Sequence, residues 1–232
     1  MITGLLGYTN TKGQTSSSMQ SAASQNILAY FSNEIGENAH LYTGKEYAPA
    51  ERGVRGHPFF NSAQMEKNDI FYDGTLYTNI PLIFDIVRQE IVINRYDGFT
   101  RMKLLNEKVK YFTFAGHRFE NLLLAEGKNE NTASGIYDVV FDGKAKVLVK
   151  RFKRIKSALK AEDPPSYVQE DEFFIVRGNT LYPVDSKGSL FQAFNDQKEL
   201  IKAFARKNRF RLKKNIEKEI ILATAYYSSL NN

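Results

Sequence analysis

Between Asn68 and Leu124 the chain reads NDIFYDGTLYTNIPLIFDIVRQEIVINRYDGFTRMKLLNEKVKYFTFAGHRFENLLL. Short runs of Ile, Val, Phe, Tyr and Thr alternate with polar residues, and turn pairs cut them at roughly eight- to twelve-residue intervals. Alternation of period two buries one face only if the run is a strand, because successive side chains point to opposite sides. Runs joined by two-residue turns must be antiparallel neighbours, since parallel strands need a crossover of about a dozen residues or more. The turn pairs are Asp73-Gly74, Asp97-Gly98, Ala115-Gly116 and, further on, Asp142-Gly143 and Gly178-Asn179. Such pairs suit hairpin turns that need positive φ. Thr43-Gly44 predicts an earlier hairpin between Tyr42 and Tyr47.

After Val184 the period changes. Leu200 and Phe204, then Ile216, Ile220, Ala223 and Tyr227, recur at helical spacings. Asp196 is placed to cap a helix starting at Gln197. The reading is a mainly β (α+β) protein: an antiparallel meander forming a sandwich or curved half-barrel, with two C-terminal helices. Its parts are a flexible leader over 1–37, rich in Ser, Gln and Ala, a β domain over 38–184, and a helical cap over 185–232 packed on the sheet.

The 232 residues, 42% hydrophobic and 13% aromatic, suffice for a buried core. Cysteine is absent, which excludes disulfides, thiolate nucleophiles and thiolate zinc sites. No segment approaches the roughly 18 to 20 apolar residues of a membrane helix. The net charge of +6 is read first as ordinary solubility, with contact to anionic partners such as nucleic acid, acidic polysaccharide or membrane headgroups as the alternative.

Residues that could carry chemistry are few. His40, His57 and His117 have no metal-ligand spacing, and no nucleophile elbow, phosphate loop or HExxH pattern occurs. Neither a cofactor, a metal nor a catalytic residue is therefore assigned, and a non-enzymatic role is preferred. Asp85, Glu120 and Asp138 are strand carboxylates that a hydrolase could pair. Alternation puts Asp85 and Asp138 on the wet face. From Lys144 to Lys160 the chain carries eight Lys/Arg and no acid, including Lys146, Lys150, Arg151 and Arg154. A second basic cluster, Arg206 to Lys214, contains Arg209, Arg211 and Lys213. With Phe152 and Phe210 interleaved, these could bind single-stranded nucleic acid. The alternatives are an edge strand protected by lysines and a cationic helix end. In GHPFF, His57, Phe59 and Phe60 form either a plug for one end of the sheet or a ligand-facing aromatic patch.

The succession LYTGKEYAP, GHPFF, DIFYDGTLYTNIPLIFD, KVKYFTFAGHRF, GIYDVVFDGKAKVLVKR and SLFQAFNDQKELIKAFARKNRFRLKK resembles an uncharacterised family of Bacteroidota proteins over roughly residues 38 to 230. The resemblance implies a secreted or envelope-facing β-rich protein, periplasmic or associated with the outer envelope. Members carry an export signal, whereas Met1 to Gly13 has no basic start and too short an apolar run to serve as one. The function expected is binding of a partner protein or an anionic glycan through a sheet face and a basic patch. A nucleic-acid-binding module and a carboxylate hydrolase are the alternatives.

Overall fold

Every alternating run named above forms strand in the computed structural model, which describes residues 39–48, 51–122, 134–158, 160, 162–178 and 180–230. The chain divides into two compact units, Met1–His40 and Leu41–Asn232, and the second carries the sheet and its helical cover. The leader expected over 1–37 and most of the polar loop between Glu126 and Ser134 lie outside the described residues.

The strands are β1 (Lys45–Glu46), β2 (Glu66–Tyr72), β3 (Thr75–Asp85), β4 (Glu90–Asn94), β5 (Arg101–Lys103), β6 (Val109–Phe114), β7 (His117–Leu122), β8 (Gly135–Asp142), β9 (Lys146–Lys156), β10 (Ser166–Arg177) and β11 (Thr180–Pro183). They form one open antiparallel sheet in the order β1-β5-β4-β3-β2-β6-β7-β8-β9-β10-β11. Two meanders thus fan out in opposite directions from the β2–β6 junction. Phe112 pairs with Phe119 across β6 and β7, and Phe119 with Asp138 across β7 and β8.

The sheet curls strongly. β3 and β9 are separated by four strands in the sheet order, yet the amide of Lys153 on β9 donates to the carbonyl of Ile86, just past the end of β3, at 3.2 Å. The segment 55–60 bridges the same gap. Arg55 pairs with Ser166 of β10, and Phe59 pairs with Asp85 of β3. The enclosed space is filled by Ile70, Leu82, Phe84, Phe112, Phe114, Phe119 and Phe60, all buried. GHPFF is therefore a plug: Phe59 and Phe60 are 6% and 3% exposed and have no surface to offer a ligand.

Turn chemistry explains two of the corners. Asp73-Gly74 (φ 50° and 82°) and Ala115-Gly116 (φ 51° and 78°) have the double positive φ of a type I′ turn. Asp142-Gly143 departs from expectation. Asp142 stays in the ladder opposite Lys146, so Gly143–Ala145 make a longer connection. The hairpin expected at Thr43-Gly44 is absent. Ala39–Thr43 form a 3-10 helix instead, and Gly44 lies so close to β5 that a Cβ there would sit 2.1 Å from the carbonyl oxygen of Lys103. Close approach, not turn formation, is what this glycine serves.

The C-terminal region contains three helices: α1 (Lys187–Ala193), α2 (Lys198–Lys207) and α3 (Leu212–Ser229). A capping box between Ser186 and Ser189 starts α1. Asp196 does not cap α2. It lies in a short 3-10 turn and binds Arg177 (2.8 Å) and the Tyr227 hydroxyl (2.9 Å). Ile201 and Ala205 are the buried positions of α2, which turns Leu200 outward at 46% exposure. With Ile220, Ala223 and Tyr227 of α3, they cover Val147 and Ile175 in a second core. The one change from period two to period 3.6 in the sequence marks this division between sheet and cover.

Candidate functional site

Where the first core meets the second lies a row of ionised side chains centred on Arg151. β9 is not an edge strand: it lies between β8 and β10, so Arg151 projects into the molecule and is 5% exposed. Its Nε and Nη2 donate to Asp138 Oδ2 at 2.9 and 2.7 Å, and Nη1 donates to Asp171 Oδ2 at 2.8 Å and Glu217 Oε2 at 2.7 Å. His117 Nδ1 lies 2.8 Å from the same Asp138 oxygen. The Arg151 guanidinium also sits 5.8 Å from the centre of the Phe60 ring. One cation thus joins β7, β8, β10, the plug and α3.

Burial raises the Asp138 carboxyl above the usual carboxylate range, even though Arg151 and His117 pull it down. Burial would lower Arg151, but Glu217, Asp138 and Asp171 hold it above its ordinary value. A guanidinium so placed donates and cannot accept. The cluster's chemistry is therefore to hold charge in place. Asp85, too, is fully buried and not on the wet face that alternation predicts. It accepts the Tyr47 hydroxyl (2.7 Å) and the amides of Val87 and Arg88 (2.8 and 2.9 Å). Alternation places Asp85 and Asp138 on the correct strands but the wrong face, because each has internal partners that offset its desolvation. Glu120 remains on the outer face, 3.0 Å from Arg118 Nε.

The plug is tied down by Lys153, whose ammonium donates to the carbonyls of His57 (3.1 Å) and Phe59 (2.6 Å). Burial lowers Lys153, and burial with the nearby Lys153 charge lowers His57. The His57 proton is held less tightly in the folded chain than in the unfolded one. Its contribution to stability is therefore full above the unfolded value near 6.5 and is lost as pH falls through the lowered folded value. We expect the melting temperature to drop more steeply between about pH 8 and pH 5 in the native chain than in His57→Gln. Parallel pH profiles for the two would refute this role.

The remaining basic residues separate into two groups. On β9 the acids of both neighbouring strands face them: Arg154 lies 3.3 Å from Glu170 and Lys150 is opposite Glu172 on β10, and Lys146 lies 2.9 Å from Asp142 on β8. Around the α2–α3 connection the acids instead turn inward. Glu217 is on Arg151, and the Glu219 carboxylate accepts the backbone amide of Arg211. Arg206, Lys207, Arg209, Arg211, Lys213 and Lys214 are all exposed there. Phe210 is buried with its edge on Phe204 and cannot stack a base. On the outer sheet face Phe71 stacks on Tyr111, but Lys110 and Arg118 already lie over the two rings, 5.4 and 4.0 Å from their centres. Local sequence patterns do not single out Asp171, Glu217 or Glu219. Aligning KRFKR against the acidic VQEDE as antiparallel neighbours would have found the first of them.

Among the described residues no cluster of His, Asp and Glu is arranged to hold a metal ion, and no helix is long and apolar enough to cross a membrane. Fold and site together define an open, curled antiparallel sheet with a helical cover, an ionic seam within and a cationic corner outside. Compared with family models, curated proteins and solved structures, the chain matches none.

Proposed function

We propose that this chain is a non-enzymatic binding protein that takes an anionic glycan, a polysaccharide bearing carboxylate or sulfate groups, at the α2–α3 corner. The observation that carries this reading is the inward turn of Glu217 and Glu219, which leaves the corner's cations without an ion-pair partner among the described residues. A polyanion fits the corner better than a protein surface does. Protein interfaces are depleted in Lys and built on aromatic anchors, and at this corner Phe210 and Leu212 are buried. The envelope setting rests on the family resemblance alone. Asp85 and Asp138 are committed to internal partners, which weighs against a hydrolase. Nucleic acid is the second reading, because phosphates would meet the same cations.

Polygalacturonate and heparin serve as probes in titrations at low and physiological salt. Affinity should fall with salt, because exposed charges are screened beyond a Debye length of about 8 Å at 0.15 M. The joint substitution Arg206→Gln, Lys207→Gln, Arg209→Gln and Lys213→Gln should weaken binding by about tenfold or more. Unchanged affinity in this variant would overturn the proposal. Tighter binding to single-stranded DNA than to either polysaccharide would favour the second reading.

A further inference from the structure

Beside that corner, α3 and β10 enclose an open depression of 560 Å³ lined by Phe173, Lys214, Asn215, Ile216, Glu217, Lys218, Ile221 and Leu222. The volume lies within the roughly 300–1,000 Å³ of small-molecule sites. Its walls differ in character. Phe173, Ile216 and Ile221 are only half-buried, and Leu222 is 40% exposed. Lys218 and Leu222 lie one turn apart on the same face of α3, and Lys214 stands just ahead of a break in the helix at Asn215 (φ −141°, ψ 46°), on the rim of the same depression. Among the described residues neither lysine ammonium has an ion-pair partner. Glu217, the one acid in the wall, has its carboxylate on Arg151, a cation it shares with Asp138 and Asp171.

We infer that this depression binds a single-chain anionic amphiphile of the fatty-acid class. Its carboxylate is held by Lys214 and Lys218, and its hydrocarbon lies on Phe173, Ile216, Ile221 and Leu222. Charge complementarity selects the head group, and the apolar wall selects a tail that a polysaccharide lacks. A bilayer is the less fitting occupant, because the apolar residues line a concave wall instead of a protruding tip. A docked protein segment would need an interface of roughly 1,000 Å² or more, beyond what so small a depression supplies.

The test is titration calorimetry of the full chain with monomeric decanoate, and with decyltrimethylammonium as the same tail carrying the opposite charge. Decanoate should bind one to one and tighter than the cationic amphiphile by about tenfold. Lys214→Gln with Lys218→Gln should weaken decanoate by about fivefold to tenfold. Leu222→Asn should weaken both amphiphiles, with melting temperatures confirming that each variant is folded. Equal affinity for the two amphiphiles, or decanoate binding indifferent to the lysine pair, would overturn the inference. So would binding to phosphatidylglycerol vesicles without binding to monomeric decanoate, which would make the surface a membrane contact. The substitutions do not overlap those of the glycan test, so either proposal can fail alone.

Discussion

Replacing Arg151 by Met is expected to destabilise the chain by about 3–5 kcal/mol, read as the loss in unfolding free energy in urea. The side chain's hydrocarbon part survives in Met, so the loss is electrostatic. Asp138, 1% exposed, would keep its charge with only His117 beside it, while Asp171, largely buried, and Glu217, partly exposed, would lose their shared cation. Folded domains hold only about 5–15 kcal/mol in total, so the variant should be marginal. Two further measurements identify the cause. Adding Asp138→Asn to Arg151→Met should recover part of the loss, because a neutral amide removes the stranded charge. The penalty should also shrink on acidification. Burial already raises the Asp138 carboxyl, and without Arg151 the folded chain binds its proton more tightly still, so the deficit is full above the raised folded value and fades as pH falls through it. A loss of under about 1 kcal/mol, typical of an exposed pair, would show that the seam adds little.

The seam also shows why so little of the site was legible in the sequence. Arg151 stands among seven other Lys/Arg between 144 and 160, and nothing local distinguishes it. It is set apart by register. On β10 its opposite number is Asp171, and a one-residue slip would turn it to the other face. The chain must also curl until the plug reaches β9, and α3 must descend with Glu217 on its inner side. These are relations among segments up to 96 residues apart, and composition does not encode them. The cationic corner was more accessible, because its charges lie within nine residues of sequence. Even there, the inward turn of Glu217 and Glu219 needed the fold.

The fold itself was more readable. Period two located the strands because burying one face of a sheet demands it, and Asp73-Gly74 marked a hairpin because Asp and Gly tolerate positive φ, whereas Ala115-Gly116 was marked by its glycine alone and Ala115 takes φ 51° against its preference. Gly44 misled for the opposite reason. A glycine preceded by Thr and flanked by Tyr42 and Tyr47 looks like another corner, and only the carbonyl of Lys103 reveals that it admits a neighbouring strand. Leu200 misled by phase: four-residue spacing to Phe204 is satisfied equally well by Ile201 and Ala205, which took the core.

Truncating Phe60 to Ala should cost about 3–5 kcal/mol, and the effect should not be confined to the plug. Its ring lies edge-on to His117 and Phe119, 5.1 and 5.4 Å between centres, with Phe114 at 6.5 Å, so removal leaves a cavity where the curled strands meet. The same ring lies under the Arg151 guanidinium. Phe60→Leu separates the two contributions. Leu retains much of the apolar volume and loses the ring face, so the difference between Phe60→Leu in the native chain and in an Arg151→Met background measures the coupling, expected at about 0.5–2 kcal/mol. Additive losses would mean that the plug and the seam act independently. A coupling in that range would mean that the segment closing the sheet and the charge anchoring α3 form one cooperative unit. Urea midpoints of the four chains in the cycle decide between these outcomes.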